Sequence, residues 1–115
     1  MRPLFLSALL ASLAIASPQG AQAGDCTGNV VSVRPIDQYD HALGRGFLAL
    51  RAGAGSGYQQ IGELYAGDEV SVWARDGRWL LVQCMSGQCQ APLWGQPSPR
   101  GWAYDAYLRV AGVCP

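Results

Sequence analysis

The clearest pattern in the chain is a period of two between positions 69 and 82. In Glu69-Val70-Ser71-Val72-Trp73-Ala74-Arg75, the residues Val70, Val72 and Ala74 alternate with Ser71, Trp73 and Arg75. Successive side chains of a strand point to opposite faces, so this segment reads as a strand with one buried face. Asp76-Gly77 follows, a pair suited to a two-residue hairpin turn because both central positions take positive φ. The returning run Arg78-Trp79-Leu80-Leu81-Val82 then sends Leu80 and Val82 to the core. Trp79 faces the other way, towards a groove or solvent. Short apolar runs separated by Gly, Pro and Asp predict strands near Val30–Val33, Phe47–Arg51, Ile61–Leu64, Glu69–Ala74, Trp79–Cys84 and Gly101–Tyr104, with a last one near Leu108–Val110. No segment sustains a helical period. The pattern predicts an all-β domain, a small barrel or sandwich.

The first residues have a different character. Arg2 precedes an apolar run of thirteen residues, Leu4 to Ala16, and a small-residue stretch ends in Ala21-Gln22-Ala23. Charge, apolar segment and A-x-A cleavage pattern in that order predict a secretory signal over 1–23. The apolar run is shorter than the ~20 residues that span a bilayer. Asp25 stands before Cys26, where a lipidated cysteine needs a small residue, so the expected product is a free, soluble chain from Gly24 to Pro115. That is a single domain with no membrane span, periplasmic or extracellular, over 24–115.

Composition narrows the function. Positions 24–115 hold seven Arg, no Lys and eight acids, a net charge of −1. Near-neutrality without a basic cluster excludes nucleic acid and electrostatic docking to anionic lipid. Cys26, Cys84, Cys89 and Cys114 make an even count in an exported chain, which reads as disulfides. A zinc site is not expected, because close paired spacing occurs only at Cys84 and Cys89. His41 is the only imidazole and reads as a solvated loop histidine. Asp68-Glu69 are adjacent, so their side chains should diverge as a solvated pair. With no nucleophile beside a base, no enzyme and no cofactor are expected. Gly53, Gly55 and Gly57 lack a following helix or lysine and read as a mobile surface loop rather than a phosphate cradle. Cys84 to Arg100 holds three prolines and two glycines and reads as a long loop.

Several motifs then fall in a suggestive order. Leu50-Arg51-Ala52-Gly53-Ala54 is followed by Tyr58, Ile61-Gly62-Glu63-Leu64, Gly67-Asp68-Glu69-Val70-Ser71-Val72, Gly77-Arg78-Trp79, Gly101-Trp102 and Tyr107-Leu108. From Leu50 to Leu108 the chain resembles the bacterial SH3 family. It departs from that pattern at Ala54, where the opening turn has Pro, and at Ala49, which is usually polar. The segment from Arg34 to Gly46 and the loop before Gly101 are both longer than usual. The resemblance implies a small SH3-like β-barrel of five to seven short strands, disulfide-stapled, with an insertion loop at 84–100. It also implies binding rather than chemistry. Tyr58, Trp79 and Tyr107 would line the ligand groove. Trp94, in the insertion, would either anchor a sugar or protein contact or pack on its own domain. Such domains attach to cell-wall peptidoglycan or a peptide. The alternative is a periplasmic interaction or inhibitor protein that docks on an envelope protein through the 84–100 loop. Three cysteine pairings are possible. Cys84 with Cys89, close in sequence, would close the base of the insertion. Cys26 with Cys114 would follow from the neighbouring termini of SH3-like barrels.

Overall fold

The computed structural model describes residues 25–115. The predicted signal over 1–23 lies outside them. Among the described residues, seven strands form one antiparallel sheet: β1 (Cys26–Val30), β2 (Leu48–Arg51), β3 (Gln60–Leu64), β4 (Glu69–Asp76), β5 (Trp79–Ser86), β6 (Arg100–Tyr104) and β7 (Leu108–Gly112). Their order across the sheet is β3-β2-β6-β5-β4-β1-β7. Short 3-10 turns at Ile36–Gln38, Gln88–Gln90 and Asp105–Tyr107 punctuate the connections.

All seven strands contribute to one core. Val30, Leu48, Leu50, Leu64, Val70, Val72, Leu80, Val82, Ala103 and Leu108 are buried in a single cluster with Cys26, Cys84 and Cys89. The sheet therefore bends around its apolar face. It does not close into the expected barrel: β3 and β7 remain its edges. The corner between β1 and the β3–β4 turn is joined by loop hydrogen bonds instead. Val30 N–H donates to the Asp68 carbonyl at 2.9 Å, and Gly67 N–H donates to the Val30 carbonyl at 3.0 Å. Disulfides join Cys26 to Cys114 and Cys84 to Cys89.

The β4–β5 hairpin places Val70, Val72, Leu80 and Val82 on the core face, each at most 1% exposed. Ala74 departs from the alternation. A bulge at Trp73 shifts the register, so Val72 lies opposite Val82 but Ala74 lies opposite Leu81. Directly opposed residues share a face, and Leu81 points away from the core, so Ala74 does too. β1 is also displaced from the predicted Val30–Val33. That run is rich in β-branched residues, but Ser32 takes φ 61° and turns the chain out of the sheet. The strand is the less promising Cys-Thr-Gly-Asn-Val, held between β4 and β7 with Gly28 opposite both Val70 and Val110. Pairing on both sides overrides propensity.

Two loop expectations change as well. Asp68 is 1% exposed, not solvated. Its carboxylate accepts the Tyr65 N–H at 2.7 Å, and the backbone at Gln88 and Cys89 also bonds to it. Burial raises its pKa and those bonds oppose the rise. The 84–100 segment is fixed at both ends. Ser98 N–H donates to the Cys89 carbonyl at 2.9 Å and Cys84 N–H to the Pro99 carbonyl at 3.0 Å. The Gln83 side chain donates to the Ser98 carbonyl at 2.8 Å.

Candidate binding groove

On the face away from the core, a groove of about 770 Å³ opens between the 44–49 segment and β5–β6. Its side chains include Arg34, Phe47, Arg51, Trp79, Tyr104 and Tyr107. Strand pairing builds the aromatic wall. Trp79 lies opposite Tyr104, and the two rings meet edge to face at 5.4 Å and 67°. The turn at Asp105–Tyr107 then presents Tyr107, 40% exposed, with its ring 6.4 Å from that of Tyr104. Asp105 braces this end, accepting from Arg78 Nε at 2.7 Å and Arg75 Nη1 at 3.0 Å. Partial desolvation pushes its pKa up, but the two guanidinium bonds outweigh that and hold the carboxyl below its usual range. The Arg78 guanidinium carbon also stands 5.0 Å over the Tyr104 ring.

Two arginines supply the charge of the groove lining. Arg34 Nη1 donates to the Gln38 side chain and Arg51 Nη1 to the Tyr58 carbonyl, each at 3.0 Å. Among the described residues, no Asp or Glu lines the groove. A planar guanidinium flanked by aromatic faces suits a ligand with an apolar body and a carboxylate.

Of the residues expected to form the site, Trp79 and Tyr107 come together here. Tyr58 does not. Its ring lies back over its own loop, where a Cβ on Gly53 would approach it to 2.6 Å. The glycine at 53 thus admits the Tyr58 ring, and the side chain is 55% exposed outside the groove. Trp94 does not line the groove either. It stacks on His41 at 4.6 Å and 19°, so it packs on its own domain.

That stacking leads to a cluster that sequence reasoning missed. Glu63 is fully buried on β3. One carboxylate oxygen accepts the Tyr65 hydroxyl at 2.7 Å and the Tyr39 hydroxyl at 2.9 Å. The other meets His41 Nδ1 at 2.6 Å. Tyr65 in turn accepts the Leu93 N–H at 2.8 Å. His41 also stacks on Phe47, with centroids 5.7 Å apart at 19°. His41 is therefore a half-buried partner of Glu63, not a solvated loop histidine. The cluster ties the 34–47 segment, β3 and the insertion into one clasp, and Phe47 carries it to the groove wall. Burial foremost, then the bond to Glu63 and its charge, raises the Tyr39 pKa to about 12. Burial and the same carboxylate push Tyr65 higher still, opposed by the Leu93 N–H. The one local signal was an acid in an apolar strand with an aromatic two residues on, Glu63 and Tyr65, which share a face.

The family described as bacterial SH3 domain matches residues 46–109, more than half of the chain. Comparison with curated proteins and with solved structures finds no match.

Proposed function

The chain belongs to the bacterial SH3 domain family, and from that premise we propose that it is a non-catalytic binding module of the cell envelope, whose groove holds cell-wall peptidoglycan or a peptide. The observation that carries this reading is the convergence of Trp79, Tyr104 and Tyr107 with Arg34 and Arg51 on one groove. Aromatic faces offer rigid apolar area at low entropic cost, and the guanidinium groups suit the carboxylates of wall peptides. The engagement of His41 with Glu63 supports a structural role for the imidazole. Two disulfides support a periplasmic or extracellular location.

Co-sedimentation with purified peptidoglycan tests the proposal. The wild-type protein pellets with the wall, and Tyr107→Ala stays largely in solution with an unchanged thermal midpoint. Wild-type protein that stays in solution, or a Tyr107→Ala variant that pellets equally well, overturns it. A second reading, docking of an envelope protein on the 84–100 segment, draws support from Leu93 and Met85, which are 53% and 45% exposed. Leu93→Asp abolishes capture of such a partner and leaves sedimentation with the wall unchanged.

A further inference from the structure

The sheet face that floors the groove continues beyond it. Opposed residues on neighbouring strands share a face. Two positions along from the Trp79–Tyr104 pair, Leu81 lies opposite Trp102, and Trp102 lies opposite Arg51. Two positions further, Gln83 lies opposite both Arg100 and Ser71. The bulge lays Trp73 across this last row: its Nε1–H donates to Ser71 Oγ at 2.8 Å, and the Arg100 guanidinium carbon stands 5.2 Å from its ring centroid. Strand rise spaces these rows by roughly 6.7 Å, so aromatic side chains recur over about 13 Å of one face. Trp73 is 37% exposed, and Trp102 and Leu81 are half-buried.

The charge along the middle of this face is cationic; the acids Asp76 and Glu69 stand at its ends, and Glu69 accepts from Ser86 Oγ at 3.3 Å. Among the described residues, Arg34, Arg51 and Arg100 form no ion pair within 4.0 Å, whereas Arg75 and Arg78 are both paired with Asp105. Asp76, opposite Trp79 at the hairpin, is outside the groove lining. We propose that this face is a track for an anionic linear polysaccharide, running from Tyr107 in the groove over Trp79 and Trp102 to Trp73 and Arg100. The proposal rests on the groove reading above and names the ligand class.

The strands leave no main-chain addition site for a peptide on this face. A peptide that binds a sheet through its main chain adds to an open edge. β5 and β6 are internal, paired on both sides, so their backbone groups are taken. Recognition on this face falls to side chains. Flat indole and phenol faces suit the C–H faces of sugar rings, and guanidinium groups between them suit carboxylates along the polymer.

The test uses the disulfide-bonded protein with three probes: intact peptidoglycan, its glycan strands stripped of peptide by an amidase, and the released peptides. Stripping frees the lactyl carboxylates of the strands. The wild-type protein binds stripped strands. Trp73→Ala and Arg100→Gln each weaken that binding about tenfold, as does carbodiimide amidation of the strands, the change expected for one charged contact. Binding of the released peptides is unaffected. Arg100 is exposed, so Arg100→Gln reads the track even where Trp73→Ala perturbs the fold. Intact wall that pellets while stripped strands do not bind overturns the track and leaves the groove reading standing. Strand binding insensitive to both Arg100→Gln and amidation also overturns it. If none of the three probes binds, the groove reading falls and the track with it.

Discussion

Replacing Glu63 tests whether the clasp is held by its carboxylate. Glu63→Ala removes the acceptor of three hydrogen bonds at once. Tyr65 is 1% exposed, so its hydroxyl proton is left buried without a partner, at about 1–3 kcal/mol. Tyr39 and His41 are half-buried and regain water, so each lost bond costs a net ~0.5–1.5 kcal/mol. Together the loss is about 2–6 kcal/mol, a large part of the 5–15 kcal/mol, roughly, by which domains are stable. Glu63→Gln behaves differently. Its carbonyl oxygen still accepts both tyrosine hydroxyls, and its amide donates to His41 Nδ1 in the other tautomer. Only charge assistance is lost, roughly 1 kcal/mol. Urea unfolding of the three proteins at neutral pH, with slopes compared, gives both differences. Equal losses for Ala and Gln, or a loss below about 1 kcal/mol for Ala, would refute the bond-by-bond reasoning.

Further expectations concern the tyrosines, the core and the cross-links. Tyr39 releases its proton near 10.0 when unfolded and at about 12 when folded. Between those values the folded state holds a proton the unfolded state has lost, so stability falls as pH rises through the window. Urea midpoints that stay flat there contradict this, and Glu63→Gln makes the fall shallower because it removes the charge that adds to burial. Leu80→Ala, at a position 1% exposed, costs on the order of 2–5 kcal/mol in the same assay, and a loss below about 1 would mean that the hairpin faces are inverted. The cross-links close separations of 88 and 5 residues. The chain-entropy relation assigns them about 4.6 and ~2 kcal/mol. Replacing Cys26 and Cys114 by Ser therefore lowers stability more than replacing Cys84 and Cys89; the reverse order would contradict the relation.

The sequence was most informative where structure is set by near neighbours. The β4–β5 hairpin has a turn pair, Asp76-Gly77, and apolar residues with period two on both sides, so the inward faces of Leu80 and Val82 could be read directly. The reading failed at Ala74 because a bulge is an event between strands: one extra residue, Trp73, flips the pattern without leaving a mark in it. β1 was misplaced for a related reason. Its residues are poor strand formers and owe their conformation to partners some 40 and 80 positions away, Val70 and Val110 opposite Gly28. Asp68 looked solvated because the N–H groups that bury it belong partly to Gln88 and Cys89, twenty residues on. His41 lies 22 residues from Glu63 in sequence. No local rule joins a loop histidine to a strand carboxylate, so that pair could be found only in three dimensions.

The two segments longest relative to the family pattern, 34–46 and 84–100, meet one another over β3. His41 from the first stacks on Trp94 from the second, and Glu63 and Tyr65 hold both from below. β3 is an edge strand, and an open edge offers unpaired backbone groups to other chains. The insertion runs across that edge: a Cβ on Gly95 would sit 3.6 Å from Gly62 Cα and 3.7 Å from the Ile61 carbonyl oxygen. The Pro- and Gly-rich composition that suggested a long loop serves a close crossing here, in which Gly95 takes φ 88°, a conformation glycine adopts without strain. The same clasp reaches the groove through Phe47, which lines it and stacks on His41. Trp94 thus supports the groove wall without facing the groove. Over β3 the outer face is covered by the clasp, and over β2, β5 and β6 it is left to aromatic rings and to Arg51 and Arg100, which form no ion pair among the described residues. One side of the sheet face has become structure and the other has remained available to a ligand.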